Sequence, residues 1–248
     1  MHPLEAFIYK EGFARLSTEP FSLDPDDLNK LYIHLTNVAI QKYNVDFHKD
    51  RDTLFGGSKL SLRNLKGKLE ERGYNYHKIW SQVCEIVVKS LLACQQEIPN
   101  NSNCFELFGY DIIVDDNLKC WLLEVNSSPS LSRETILDDL VKQQLIDDII
   151  ELVDPLLFDR KKLLNVLERR IKEEQGLKST IHTQNNSKQQ MNRDLTYILG
   201  GKMMRKVGEI PKNMGNFERL APSDFSEKIS KIIQQYKVNG TKNYSVIE

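Results

Sequence analysis

Two apolar runs, Cys104 to Val114 and Lys119 to Val125, flank the turn-forming residues Asp115, Asp116 and Asn117, and this arrangement constrains the chain more than any other. Each run is too short for an independent helix, and the pattern predicts a buried antiparallel hairpin. Acids lie inside these strands. Residues two apart share a face, so Glu124 and Asn126 point one way while Leu123 and Val125 point the other. With an even number of residues in the turn, Asp111 lies across from Leu122 and joins the same face. Two carboxylates and an amide oxygen then converge. A desolvated carboxylate at Glu124 would cost roughly several kcal/mol of lost hydration, so a positive partner is expected nearby. A small set of hard oxygen ligands, leaving positions for water and phosphate oxygens, suits magnesium in a nucleotide site. The same residues also fit a buried ion pair to Arg or Lys, with Asn126 capping the turn at Ser127, Ser128 and Pro129.

The chain has 248 residues, 40% hydrophobic and 28% charged, enough to bury a core in one large domain or one domain plus an appendage. No apolar stretch approaches the roughly 20 residues that span a bilayer, and Met1 to Leu16 has no secretory pattern. Neither membrane insertion nor secretion is expected. Cys84, Cys94, Cys104 and Cys120 form no CxxC pair and no zinc pattern with histidine, which predicts reduced thiols in a cytoplasmic protein. Cys120 has no partner in sequence that would lower its pKa, so it is not expected to act as a nucleophile. Net charge is −1, yet residues 155 to 212 hold 13 Lys/Arg against 6 Asp/Glu. That segment either meets an acidic partner or forms a solvated helix face.

Along the chain, Ala6 to Tyr9 and Phe13 to Ser17 flank Lys10, Glu11 and Gly12 and read as a hairpin whose glycine takes a positive φ. Asp24 to Asp27 resembles a helix N-terminus, followed by an apolar pattern from Leu31 to Gln41. Helices are expected from Ser61 to Arg72 and from His77 to about Gln96, the second with Ile79, Val83, Ile86, Val87, Leu91 and Cys94 on one face. Another runs from Arg133 to Val153, with Ile136, Leu137, Leu140, Val141, Leu145, Ile149 and Ile150 as its stripe. The expected division is a main folded domain over 1–155, a charged helix over 156–175, and a mostly disordered tail over 176–248 with a helix at 223–236.

The run Phe105 to Asp111, with Trp121 to Asn126 and Ser128 to Leu131, resembles the signature of the tubulin-tyrosine-ligase-like family. Three further blocks occur in family order. His34, Leu35, Thr36 and Asn37 followed by Val38 to Lys42 are similar to the family's HLTN segment as its glutamylases carry it, Gly12 to Ser17 is another block, and Gly56 to Lys59 is a weaker one. The resemblance covers roughly residues 3 to 155. It departs from the family at Leu60, where tryptophan is common, and at Cys120, where proline usually precedes the tryptophan.

The resemblance implies an α/β (α+β) chain forming the C-terminal part of an ATP-grasp fold, an antiparallel sheet flanked by helices. It implies ATP and Mg as cofactors, with Asp111, Glu124 and Asn126 as metal ligands and Thr36 and Asn37 as nucleotide-binding residues. Arg15 and Lys59 would hold the incoming amino acid, and Glu124 and Arg15 would serve catalysis. A guanidinium grips a free α-carboxylate bidentately, and an ammonium suits an acidic side chain. The implied activity is a tubulin polyglutamylase, joining free glutamate to carboxylates of tubulin tails, with tubulin or microtubules as partner and neither nucleic acid nor membrane involved. The implied location is cytoplasmic and cytoskeletal, extending to the cilium or basal body. A glycine or tyrosine ligase of the same family and a non-catalytic tubulin-binding remnant are the alternatives. Structural roles compete residue by residue: Arg15 as a surface cap, His34 as a satisfied core histidine, Thr36 and Asn37 as a helix cap, and Lys59 as a solvated lysine on a glycine loop. Family members also carry an N-terminal half with the phosphate-binding lysines, so the chain as read holds the metal-binding wall of a site and is expected to bind ATP poorly alone.

Overall fold

A computed structural model describes residues 4–44, 59–98, 104–176, 184–203, 205, 206 and 208–244. Gly56, Gly57 and Ser58 of the glycine-rich block lie outside the described residues. Two compact units emerge. One comprises Met1–Ile149 together with Met214–Glu248, and the other is Ile150–Asn213.

Among the described residues the first unit holds three antiparallel two-stranded ladders. Strands β1 (Ala6–Tyr9) and β2 (Phe13–Arg15) form as expected, but they do not pair with each other. β1 pairs with β6 (Phe217–Ala221), and β2 pairs with β3 (Lys59–Ser61). The ladders continue past the strand ends: Lys10 N–H donates to Asn216 C=O at 3.1 Å, and Leu62 N–H donates to Gly12 C=O at 3.1 Å. Residues 10–12 therefore hand the chain from one ladder to another instead of reversing it. Gly12 is not in the left-handed region, and its missing side chain instead accommodates Leu62, whose Cδ1 would stand 3.3 Å from an added Cβ.

Helix starts follow their capping chemistry. Asp24 Oδ1 accepts from Asp26 N–H at 3.0 Å ahead of a 3₁₀ turn with Pro25 first, and the apolar pattern beyond it breaks into two short helices, α1 (Leu31–His34) and α2 (Val38–Gln41). Ser61 Oγ accepts from Asn64 N–H at 3.1 Å to open α3 (Leu62–Glu71), and Asn75 Oδ1 accepts from His77 N–H at 3.0 Å to open α4 (Tyr76–Cys94). The buried face of α4 is Ile79, Cys84, Val87, Val88 and Leu91, while Cys94 is exposed.

The core gathers Val87, Val88 and Leu91 of α4, Ala6 of β1, Leu220 and Ala221 of β6, and Ile229 of α8 (Asp224–Tyr244). Residues 176–248, expected to be largely without structure apart from a helix at 223–236, supply that helix as α8 and in addition a core strand and α7 (Gln184–Ile198). The reason is long-range pairing: Phe217, Leu220 and Ala221 bury against a strand about 210 residues earlier in the chain. Their closure is reinforced by buried Asp148, whose Oδ2 accepts from Tyr9 Oη at 2.9 Å and from Asn216 N–H at 3.0 Å. Burial and the bond to that carboxylate hold the Tyr9 phenol far above its ordinary pKa.

Strands β4 (Gly109–Val114) and β5 (Cys120–Asn126) form the expected hairpin. It is not buried. Ile113, Val114, Trp121, Leu122, Leu123 and Val125 are all exposed, Leu123 at 64%, and the helix that packs along the hairpin is α4. Helix α5 (Ile136–Val153) follows its expected stripe in part: Ile149 is buried and Leu137, Val141 and Leu145 half-buried, but Ile136, Leu140 and Ile150 face water while Asp138 and Asp148 are buried. Those two acids are inside because each has several donors.

In the second unit, α6 (Arg160–Gly176) packs on α7. Asp194, buried on α7, accepts from Arg169, from Arg170 Nε at 2.9 Å and from Gln190 Nε2 at 3.1 Å. Two members of the basic segment are therefore spent on an internal ion pair, whereas Arg160, Lys161 and Lys172 are exposed. Among the described residues no helix is long and apolar enough to cross a membrane.

Candidate functional site

The hairpin owes its register to a bulge. Asp115 closes the turn, with Oδ1 accepting from Asn117 N–H and Lys119 N–H at 2.9 Å each and Oδ2 accepting from Trp121 Nε1 at 2.9 Å. From there Val114 pairs with Cys120 and Ile112 with Leu122, until one extra residue in β5 shifts the ladder between Asp111 and Ile112. Asp111 consequently lies opposite Glu124, not across from Leu122. The bulge brings the two carboxylates directly face to face. Gly109 then pairs with Asn126, and Pro129 closes over it so tightly that an added Cβ would stand 2.9 Å from the proline ring. This fixes the path of the chain after Asn126.

The predicted convergence of Asp111, Glu124 and Asn126 is realised. Asn126 Nδ2 donates to Asp111 Oδ2 at 3.2 Å and to Glu124 Oε1 at 3.0 Å. Burial raises the Asp111 pKa, aided by its bond to the Glu124 carboxyl, and the Arg15 charge and Asn126 oppose the rise only in part. Glu124 moves the other way, held below the ordinary range by the bonds from Asn126 and Asp111 and by the Arg15 charge. The pair thus keeps one proton, on Asp111, to higher pH than an isolated aspartate would. Glu124 itself is exposed, so the desolvation expected of it falls on Asp111 instead.

Two carboxyl side chains held face to face are a donor set that a hard divalent cation fits, because a cation would offset the negative charge they bring together. Rotating the Asn126 amide by half a turn would present its oxygen to the same point. Among the described residues no group of three or more His, Cys, Asp or Glu side chains stands close enough together to hold a metal ion.

Arg15 ends β2 directly opposite Lys59 on β3, and its charge reaches both carboxylates. Arg15, Asp111, Glu124 and Asn126 therefore belong to one constellation. Lys59 is not a free loop lysine: its Nζ lies 2.5 Å from Asp138 Oδ1 and 4.2 Å from the centre of the Phe13 ring. Thr36 and Asn37 belong to a different local structure, the break between α1 and α2. Asn37 C=O accepts from Ile40 and Gln41 N–H, at 2.9 Å each. The loop is clasped by Gln41, fully buried, whose Nε2 donates to Tyr32 C=O and Leu35 C=O and whose Oε1 accepts from Thr18 N–H and Oγ1. His34 is half-buried, its Nε2 3.1 Å from Asp27 C=O, which is the structural role expected of it. Cys120 is buried with its thiol 3.7 Å from Ile79 C=O and its pKa pushed up by burial, the opposite of a nucleophile.

Gln41, Asp138 and Lys142 escaped sequence reasoning. Asp138 carried one available signal, Thr135 three residues before it and Lys142 four after it, which is a helix-start and ion-pair pattern. Gln41 carried none.

The tubulin-tyrosine ligase family profile matches residues 1–163. A tubulin polyglutamylase ttll6 from Danio rerio is 33% identical over 245 residues, covering 94% of this chain and 30% of that protein. The human tubulin polyglutamylase TTLL6 is 33% identical over 244 residues, covering 94% and 26%, and the human probable tubulin polyglutamylase TTLL2 is 40% identical over 151 residues, covering 61% and 25%. The chain thus spans between a quarter and a third of the length of these curated relatives.

Proposed function

The chain belongs to the tubulin-tyrosine ligase family, and from that premise we propose that it is the carboxylate-bearing part of a tubulin polyglutamylase, an ATP- and Mg-dependent ligase of ATP-grasp architecture. In this reading free glutamate is joined to carboxylates of tubulin tails, and the protein works at the cytoskeleton. The observation that carries the reading is the facing pair Asp111 and Glu124, bridged by Asn126 and overlooked by Arg15.

Asp111, Glu124 and Asn126 would hold magnesium. When bound, the metal withdraws charge from the phosphates of ATP. Asp111 must lose its proton to serve as a ligand, so metal binding weakens as pH falls through its raised pKa. Arg15 offsets part of the two carboxylates' charge and grips the α-carboxylate of the incoming amino acid in a bidentate pair. Lys59, its cross-strand neighbour, faces that amino acid's side chain. Thr36 and Asn37 contribute to holding nucleotide from the loop that Gln41 anchors.

Incubation of the full-length protein that carries this chain with tubulin, ATP, Mg and labelled glutamate tests this. Label should enter tubulin, and Glu124→Gln should abolish its entry. Failure of the unaltered protein to incorporate label, or full incorporation by Glu124→Gln, would overturn the proposal.

A further inference from the structure

The two faces of the β4–β5 hairpin meet different surroundings. Successive strand residues alternate, so Tyr110, Ile112 and Val114 share one face of β4 while Asp111 and Ile113 share the other. Helix α4 lies against the first face. The Tyr110 ring packs on the core there, and buried Cys120, paired with Val114, brings its thiol 3.7 Å from Ile79 C=O. Asp111 and its partner Glu124 consequently stand on the face turned away from α4.

That placement of Glu124 depends on the bulge. Continued without it, the register that pairs Ile112 with Leu122 would set Asp111 opposite Leu123 and Glu124 opposite Tyr110, on the α4 side of the hairpin. Holding the ladder on both sides of the bulge opposes that slip, and α4 does so with two polar side chains. On the turn side, Gln82 Nε2 donates to Leu118 C=O at 2.8 Å and its Oε1 accepts from Cys120 N–H at 3.2 Å. On the open side, Ser90 Oγ and Tyr110 Oη are 2.7 Å apart. Ser90 commits its one proton to Val87 C=O at 2.9 Å, so the Tyr110 hydroxyl is the donor of that pair. The spans agree. From Gln82 to Ser90 a helix rises about 12 Å, and from Val114, opposite Cys120, back to Tyr110 a strand covers about 13 Å.

We propose that Gln82 and Ser90 are positioning residues for the metal site: acting through Cys120 and Tyr110, they hold the bulged register in which Asp111 and Glu124 face one divalent cation. This rests on the ligase reading above and deepens it. Neither side chain belongs to the Asp111–Glu124 face, and neither is part of the buried apolar face of α4, which is Ile79, Cys84, Val87, Val88 and Leu91. Removing either one therefore loosens the register while leaving the core contacts in place.

The test titrates Mn²⁺, a spectroscopically visible stand-in for Mg, into the full-length protein that carries this chain, following loss of the free-ion EPR signal, beside ligation assays and thermal unfolding. Glu124→Gln identifies the binding that belongs to this site and should remove it. Gln82→Met keeps the side-chain length and loses both bonds, and should raise the Kd for Mn²⁺ roughly tenfold. Ser90→Ala and Tyr110→Phe should each raise it about threefold, and the two together no further than either alone, because all three variants lose the same bond. KM for glutamate should stay within about twofold throughout. Val88→Ala serves as the stability control, lowering the unfolding temperature while leaving the Kd for Mn²⁺ unchanged. Mn²⁺ affinity unchanged in Gln82→Met or in Ser90→Ala, with only the unfolding temperature lowered, overturns the positioning role of that residue and leaves the ligase reading standing. No ligation by the unaltered protein, or Mn²⁺ binding indifferent to Glu124→Gln, overturns the ligase reading and the positioning role with it.

Discussion

The packing of α4 against β1, β6 and α8 and the β4–β5 hairpin are built on opposite terms. The first buries Val88, Leu220 and Ala221 almost completely and carries none of the candidate catalytic groups. The second exposes most of its apolar side chains and carries Asp111, Glu124 and Asn126. Core contacts hold by area removed from water, while the hairpin holds by its ladder, its turn and a few polar ties to α4. Stability and chemistry should therefore respond to different substitutions.

The largest effect expected on the chemical side comes from Glu124→Gln. The change is isosteric, the site is exposed, and one of two facing negative charges disappears. Glutamate incorporation should fall at least about 100-fold while the unfolding temperature moves by less than about 2 °C. A parallel loss of both would merge the two regions and defeat the comparison.

On the stability side the largest loss is expected at Gly215. Its φ is +51°, and a Cβ there would come within 2.2 Å of the Asp148 carboxyl that Tyr9 and Asn216 hold in place. Gly215→Ala combines that overlap with a left-handed backbone and should cost about 3 kcal/mol in denaturant unfolding. Val88→Ala should cost about 2 kcal/mol by leaving a cavity in the α4 face. Neither should alter incorporation per folded molecule, and a kinetic defect from Val88→Ala would show that the core tunes the site after all.

The same contrast explains what could be read from the sequence. Helices α3 and α4 were legible because their caps and apolar spacing are local, and so were the members of the β4–β5 pair, whose turn chemistry is written in Asp115 to Asn117. The shared face of Asp111, Glu124 and Asn126 followed from strand periodicity, but its register did not, because a one-residue bulge leaves no mark in hydrophobic patterning. The partners of β1 and β2 were illegible for a different reason. Strand pairing is specified by tertiary packing, and Phe217 to Ala221 offers five residues of weak alternation far from Ala6. Buried Asp138 and Asp148 shifted the inward face of α5 away from Ile136, Leu140 and Ile150, since an acid is excluded from a core only while its donors are unknown.

The smallest effect concerns what holds the hairpin in place of packing. Leu118 has φ of +60°, a conformation that side chains with a Cβ adopt at a cost. Its position is fixed on both sides: Leu118 N–H donates to Asp115 C=O at 3.0 Å, and its own C=O accepts from Gln82 Nε2 at 2.8 Å. Gln82 Oε1 in turn accepts from Cys120 N–H at 3.2 Å, so a single α4 side chain ties the turn and the start of β5. Comparing Leu118→Gly with Leu118→Ala isolates the backbone, because both lose the leucine side chain and only glycine escapes the strain. Glycine should be the more stable of the two by about 1 kcal/mol, with incorporation equal in both. If alanine were as stable as glycine, the turn would be carrying no strain for Gln82 to restrain. The hairpin's hold would then have to be sought in its half-buried side chains, and the separation between a packed core and a polar-tied site would narrow accordingly.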